Sequence, residues 1–192
     1  MSDIRLSSEA QDWATPSDVI EAARSALGAF DLDPASSPLA AARVRSSLYY
    51  CPPMDGLALP WFGRVWLNPP YGRHSSGRSS QALWSERLVG DYRAGFVEAA
   101  CLLVNAHVGT SWFAALLRAA DACCLVDKRL RFFRPCGTPG PSPTHGNAVF
   151  YFGADSVSFR TMFDRMGYII GEQHGRAERR DNAPCGHYAA RD

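Results

Sequence analysis

The chain has 192 residues, 46% of them apolar and 20% charged, with a formal charge of +1, which suits one globular domain with a sizeable core and gives no reason to expect a second. So balanced a charge supplies no global field for nucleic acid, and any such affinity must come from a local patch. Six cysteines without a Cys-x-x-Cys pair and five histidines without ligand spacing argue against a disulfide framework and a structural metal, and no apolar run approaches the length of a membrane span.

Residues 1–11 are polar with scattered apolar positions and are expected to form a loosely held arm. Asp12-Trp13-Ala14-Thr15-Pro16 leads into a helix over residues 17–28, in which Val19, Ile20, Ala23 and Leu27 share one face. Pro16 or Ser17 starts that helix and Gly28 ends it, so on local grounds Thr15-Pro16 is an N-cap.

Residues 29–33 read as a strand ending in a carboxylate, followed by Pro34, Ala35, Ser36 and Ser37. This is the pattern of the first βα turn in a doubly wound fold. Asp33 there can accept hydrogen bonds from a cationic amino group, while small residues let a ligand approach the backbone. An ordinary Asp-Pro turn is the alternative. A short strand over residues 48–51 leads to a turn over 52–57, where Asp55 is either a ligand contact or the cap of its own Asp-Gly turn.

The chain is organised around Val65-Trp66-Leu67-Asn68-Pro69-Pro70-Tyr71-Gly72. The apolar run is a short strand, and the two prolines remove the donors that would continue a sheet ladder, so the strand stops at Asn68. A residue before proline is pushed out of the α region, which leaves Asn68 extended at the C-terminal edge of the strand, where open α/β sheets place ligands. Two acceptors, the Asn68 side-chain oxygen and the Pro69 carbonyl, suit the hydrogens of an amine conjugated to an aromatic ring. Holding both draws the nitrogen towards tetrahedral geometry and frees its lone pair for attack on an electrophilic methyl group. Tyr71 offers a flat face for stacking. The motif holds no His, Cys, Asp or Glu, and this chemistry needs neither a tuned general base nor a covalent nucleophile. A plain Asn-Pro turn is the bland alternative.

Residues 73–80, small, polar and basic, read as a mobile loop, either a surface linker or a lid that touches phosphates through Arg73 and Arg78. A helix is expected over residues 81–89, a fully apolar strand over 101–105, a capped helix over 110–118 and another apolar strand over 122–126; such alternation indicates a parallel sheet covered on both faces. His107, beyond the 101–105 strand, reads as a loop or pocket-wall histidine rather than a catalyst. The segment Lys128-Arg129-Leu130-Arg131-Phe132-Phe133-Arg134 is the one dense basic patch. As a strand it would put Arg129, Arg131 and Phe133 on one face and Leu130, Phe132 and Arg134 on the other, either as a solvated face or as a grip on backbone phosphates. With the strand at residues 147–152 it should form an antiparallel hairpin at the sheet edge. An edge helix over 157–166, a small strand over 168–170 and a polar tail over 172–192 complete the chain.

Asn68-Pro69-Pro70-Tyr71 resembles the catalytic motif of amino-methyltransferases that use S-adenosylmethionine. The wider pattern, from Trp13-Ala14-Thr15-Pro16 through Phe30-Asp31-Leu32-Asp33-Pro34-Ala35-Ser36-Ser37 to Asn68-Pro69-Pro70-Tyr71, is similar to the phage-encoded Dam-type DNA N-6-adenine methyltransferases over about residues 12–152. The resemblance implies a single Rossmann-like class I methyltransferase domain over residues 12–171, with a mostly parallel sheet and an antiparallel edge hairpin. It further implies S-adenosylmethionine as cofactor, double-stranded DNA as substrate and a flipped adenine as target. It sets Trp13, Thr15 and Pro16 against the cofactor's methionine end, with Asp33, Pro34, Ala35, Ser36 and Asn68 beside it and Asp55 as the candidate for its adenosine half. The chain lacks the Gly-x-Gly turn of many methyltransferases, a glycine-poor form that the Dam-type phage enzymes share. The rival readings are methylation of another planar amine or amide, in RNA or a glutamine side chain, and an inactive nucleic-acid-binding module. The protein is expected to be cytoplasmic, with reduced thiols and no metal.

Overall fold

Asp31 and Arg64 set the register on which the site depends. The Arg64 guanidinium donates from Nε to Asp31 Oδ2 at 2.9 Å and from Nη2 to Oδ1 at 3.0 Å, and the Arg64 backbone N–H adds a third bond to Oδ2 at 2.8 Å. Hydrogen bonding to Arg64 holds the Asp31 carboxyl below its usual range. Gly63 adopts φ 63°, and a Cβ there would lie 2.7 Å from Asp31 Oδ2, so only glycine lets the carboxylate fold over the strand start. The clamp joins the beginnings of two strands whose far ends carry Asp33 and Asn68.

The computed structural model describes residues 13–134, 138–140 and 144–171; the expected arm and tail lie outside them. Elements follow in the order α1 (Ser17–Leu27), β1 (Leu32–Asp33), α2 (Pro38–Val44), β2 (Leu48–Tyr49), β3 (Gly63–Leu67), α3 (Ser80–Arg93), β4 (Val97–Asn105), α4 (Ser111–Ala119), β5 (Ala122–Val126), β6 (Asn147–Phe152), α5 (Ser156–Phe163) and β7 (Gly167–Ile170). All seven strands form one sheet in the order β2-β1-β3-β4-β6-β5-β7. Pairs β2-β1, β1-β3 and β3-β4 are parallel, and β4-β6, β6-β5 and β5-β7 are antiparallel.

Successive residues of a strand face opposite sides, and β4 shows both sides packed. Cys101 and Leu103 join Trp66, Val149 and the apolar faces of α1 and α5 in one cluster; Ala100, Leu102 and Val104 join Val65, Leu67, Phe150, Trp84 and Leu88 of α3 and Phe113 of α4 in the other. The expected two-sided α/β architecture is therefore present. Cys101, Cys123 and Cys124 are buried free thiols, and burial pushes Cys123 and Cys124 up to about 12, which makes them packing residues rather than nucleophiles.

Several expectations need correction. The basic segment at 128–134 is not a strand of the sheet, and β6 is no edge strand: it lies between β4 and β5 with all six residues buried. The second half of the sheet is thus alternating rather than parallel. Helix α5 is not peripheral, since Phe159 and Phe163 are fully buried against the α1 side of the sheet. Helix α2 was not expected at all, although Ser37 caps Ala40 N–H at 3.2 Å and Pro38 occupies its first turn. Thr110 is the N-cap residue of α4 but makes no side-chain cap bond; its hydroxyl donates to the His107 carbonyl at 2.9 Å. Strand β4 starts four residues earlier than the expected 101, and α3 runs on to Arg93. No helix among the described residues is long and apolar enough to cross a membrane.

Candidate active site

Strand β3 ends at Leu67 as its prolines require, and parallel pairing to β1 on one side and β4 on the other brings Asn68, Asp33 and Asn105 to one edge of the sheet. At that edge the Asn68 amide is held at both ends. Its Nδ2 donates to Thr15 Oγ1 at 3.1 Å, and Tyr71 donates its hydroxyl to Oδ1 at 3.4 Å. Tyr71 leaves 37% of its surface open, yet its hydroxyl end is enclosed enough for burial to push its pKa up, so the phenol stays a neutral donor. The Tyr71 ring meets the edge of Phe132, with centroids 6.0 Å apart at 78°. Pro69 is buried and Pro70 half-buried.

Thr15 is 5% exposed and does not cap α1. Pro16 is the N-cap residue and offers no side-chain bond, which leaves the Thr15 hydroxyl for Asn68. The stretch before α1 is fixed by an antiparallel bridge in which Ala14 and Phe133 exchange two backbone hydrogen bonds of 2.9 Å. This bridge accounts for the basic segment. It pairs with the chain's N-terminal stretch instead of with the sheet, while Leu130, 2% exposed, anchors it in the core. The expected alternation survives in part: Arg129 and Arg131 are exposed, and Phe132 packs inwards with Leu130. Arg134 lies over the Trp13 ring at 5.9 Å, and Arg43 of α2 lies over Phe133 at 5.4 Å. Trp13 is further confined by Gly140, where a Cβ would collide with the indole. Lys128 reaches Asp18 Oδ2 at 3.9 Å.

Asp33 closes β1 with 2% exposure. Burial raises its carboxyl to about 7, against hydrogen bonds from Ser36 and the Ala35 N–H that pull the other way. Pro34 and Ser36 are buried beside it. The turn at 52–57 packs directly on this one: a Cβ on Gly56 would collide with the Pro34 carbonyl oxygen and lie 2.8 Å from the Trp84 ring. Asp55 is exposed and accepts from Leu57 N–H at 3.0 Å, capping its own turn.

Residues 73–80 close on themselves instead of forming an irregular loop. Arg73 and Ser79 make a bridge, His74 N–H bonds the Arg78 carbonyl at 2.9 Å, and Ser80 N–H returns to the Gly72 carbonyl at 3.0 Å. Arg73 donates to the Gly77 carbonyl at 2.7 Å and Arg78 pairs with Glu86 at 2.5 Å, so both guanidiniums have partners within their own neighbourhood.

Three polar residues of this edge were not foreseen. Gln81 accepts from Asn105 N–H at 3.3 Å, and Asn147 donates to Asn105 Oδ1 at 3.4 Å. Gln81 and Asn147 are buried, and Gln81 Nε2 and Asn147 Oδ1 have no partner among the described residues. The only sequence signal was that both β4 and β6 carry asparagine at the same end. His107 stacks on His145 at 5.1 Å and packs against Trp112, consistent with a wall position. Among the described residues no group of three or more His, Cys, Asp or Glu could hold a metal ion.

The model of the DNA N-6-adenine-methyltransferase (Dam) family matches residues 4–150, most of the chain and every residue of the edge described above. The chain belongs to the Dam family of DNA N-6-adenine methyltransferases. No curated protein and no solved structure matches it. It is an S-adenosylmethionine-dependent enzyme that methylates the N6 amine of adenine in DNA. The residues present fit that methyl donor, whose methionine end carries an ammonium group. A carboxylate buried at a strand end and raised to about 7 by desolvation is short of cationic compensation, and Ala35 and Ser36 beside it carry little side-chain bulk.

Proposed function

We propose that this methyltransferase acts through Asn68 and Pro69 as paired acceptors for the target amine, in a single Rossmann-like class I domain spanning residues 12–171. S-adenosylmethionine supplies an electrophilic methyl group when bound. The adenine amine is a weak nucleophile because its lone pair is delocalised into the ring. Asn68 Oδ1 and the Pro69 carbonyl each take one of its hydrogens, which localises the lone pair. Tyr71, steadied by the Phe132 edge, stacks on the adenine ring. An adenine inside a duplex cannot reach the end of β3, so the base leaves the stack.

Asp33 takes the cofactor's ammonium group, and Pro34, Ala35 and Ser36 form the surface against which its methionine end rests, with Trp13 and Pro16 on the other side, while the Thr15 hydroxyl is turned to Asn68. Asp55 stands beside this turn for the adenosine half. Lys128, Arg129, Arg131 and Arg134 contact DNA phosphates, joined by Arg43, while Arg73 and Arg78 reach phosphates only by giving up their present partners.

The observation that carries this reading is the fixed Asn68 amide, with its nitrogen on Thr15 and its oxygen at the tip of Tyr71. The experiment is transfer of a tritiated methyl group from S-adenosylmethionine to unmodified duplex DNA by the wild type and by Asn68→Ala, followed by nucleoside digestion. Label in N6-methyladenine with the wild type alone is expected; equal rates in the two proteins would overturn the reading.

A further inference from the structure

We infer that Thr15 is a positioning residue for catalysis, acting chiefly on Asn68 and not on the cofactor. The inference rests on the reading of Asn68 given above. A primary amide has one accepting and one donating end, and rotation by half a turn exchanges them. With Nδ2 turned outwards Asn68 would present donors to an amine that needs an acceptor, and the same residue would oppose the reaction. In the structure the amide is set with Nδ2 donating to the Thr15 hydroxyl oxygen at 3.1 Å, which holds Oδ1 at the end towards Tyr71. At the opposite end stands the phenol of Tyr71, whose hydroxyl donates to Oδ1 at 3.4 Å.

The hydroxyl is itself well fixed. Thr15 is 5% exposed. On one side α1 begins at the next residue but one. On the other the Ala14–Phe133 bridge pins the backbone. A β-branched side chain on such a backbone has few rotamers to choose from. An N-cap role, the ordinary use of a threonine at this place, is absent, so among the described residues the side-chain partner of the buried hydroxyl is the amide. Because Thr15 is bonded to the amide that would accept the target amine, its effect should appear in the turnover step.

The test compares Thr15→Val, Thr15→Ser and Asn68→Ala, each measured for kcat at saturating cofactor and DNA, for S-adenosylmethionine affinity by calorimetry and for thermal stability. Valine keeps the shape and removes the acceptor, so kcat should fall on the order of ten- to a hundredfold, the scale of a misplaced reacting group. Cofactor affinity should stay within about twofold. Serine restores the hydroxyl without the methyl group and should recover most of the rate, which a packing role would not allow. The double variant Thr15→Val/Asn68→Ala should be no slower than Asn68→Ala alone, since both act on one amide. A normal kcat in Thr15→Val, a loss confined to cofactor affinity, or a serine variant as slow as valine would each overturn the inference while leaving Asn68 in place. Wild-type turnover in Asn68→Ala would instead remove the reading on which it rests.

Discussion

Asp33→Asn should make the protein more stable and less able to bind its cofactor, and the two effects can be measured separately. The carboxyl has an ordinary value of 3.8 and is raised to about 7 by burial. Between those values the folded protein holds a proton that the unfolded chain has already released, so stability falls as pH rises through this window and levels off above about 7. At roughly 1.4 kcal/mol per tenfold change, the burial of the charge costs about 4 kcal/mol at most, and the asparagine, which never ionises, escapes most of it. The assay is urea denaturation of both proteins at pH 4.5, 6 and 8, chosen to span the window. The variant should be more stable by a few kcal/mol at pH 8, and the gap should close towards pH 4.5 as the wild-type carboxyl gains its proton. Subtracting the two curves removes every other titrating group. In the same samples, S-adenosylmethionine affinity should rise with pH up to about 7 in the wild type, because an ammonium partner needs the ionised form. In the variant it should be weaker by about ten- to a hundredfold, the worth of a charge-assisted bond of roughly 1.5–3 kcal/mol. Parallel stability curves, or equal cofactor affinity, would refute the argument.

Asn68→Ala should slow methyl transfer by at least about a hundredfold, several kcal/mol of barrier, while calorimetry finds cofactor affinity nearly unchanged. Replacing Lys128, Arg129 and Arg131 with glutamine, and sparing Arg134 because it stacks on Trp13, should lower the slope of log DNA affinity against log salt by roughly 0.9 for each phosphate left without its cation; an unchanged slope would show that DNA lies elsewhere. Gly56→Ala should destabilise the protein by about 1–3 kcal/mol in urea titrations and weaken cofactor binding, since its methyl group displaces the Pro34 carbonyl and with it the turn that follows Asp33.

What the sequence revealed of this site depended on how far each constraint reaches along the chain. Pro69 and Pro70 act on their immediate neighbours, so the end of β3 and the extended setting of Asn68 were legible from eight residues. Asp33 was legible for the same local reason, a carboxylate at the end of an apolar run before a proline. Ser37-Pro38 was an equally local signal for α2, hidden only because the Ala-rich stretch behind it has no strong apolar periodicity. The segment at 128–134 failed differently. Its alternation correctly put Leu130 and Phe132 on one face and Arg129 and Arg131 on the other, but alternation encodes faces and not partners, and its partner, Ala14, lies far upstream. Strand β6 carried its own warning: Asn147-Ala148-Val149-Phe150-Tyr151-Phe152 is apolar at nearly every position, the composition of a strand covered on both faces, which an edge hairpin is not. The misplaced hairpin concealed the main feature of the site. Once the basic segment pairs with Ala14 rather than with β6, Phe132 comes against Tyr71 and Thr15 against Asn68, so one non-local bridge sets both the aromatic face and the amide on which the proposed chemistry turns. A substitution that breaks it, such as a proline at position 133, removes the N–H that bonds Ala14 and should therefore cost activity although residue 133 lies outside the proposed catalytic motif.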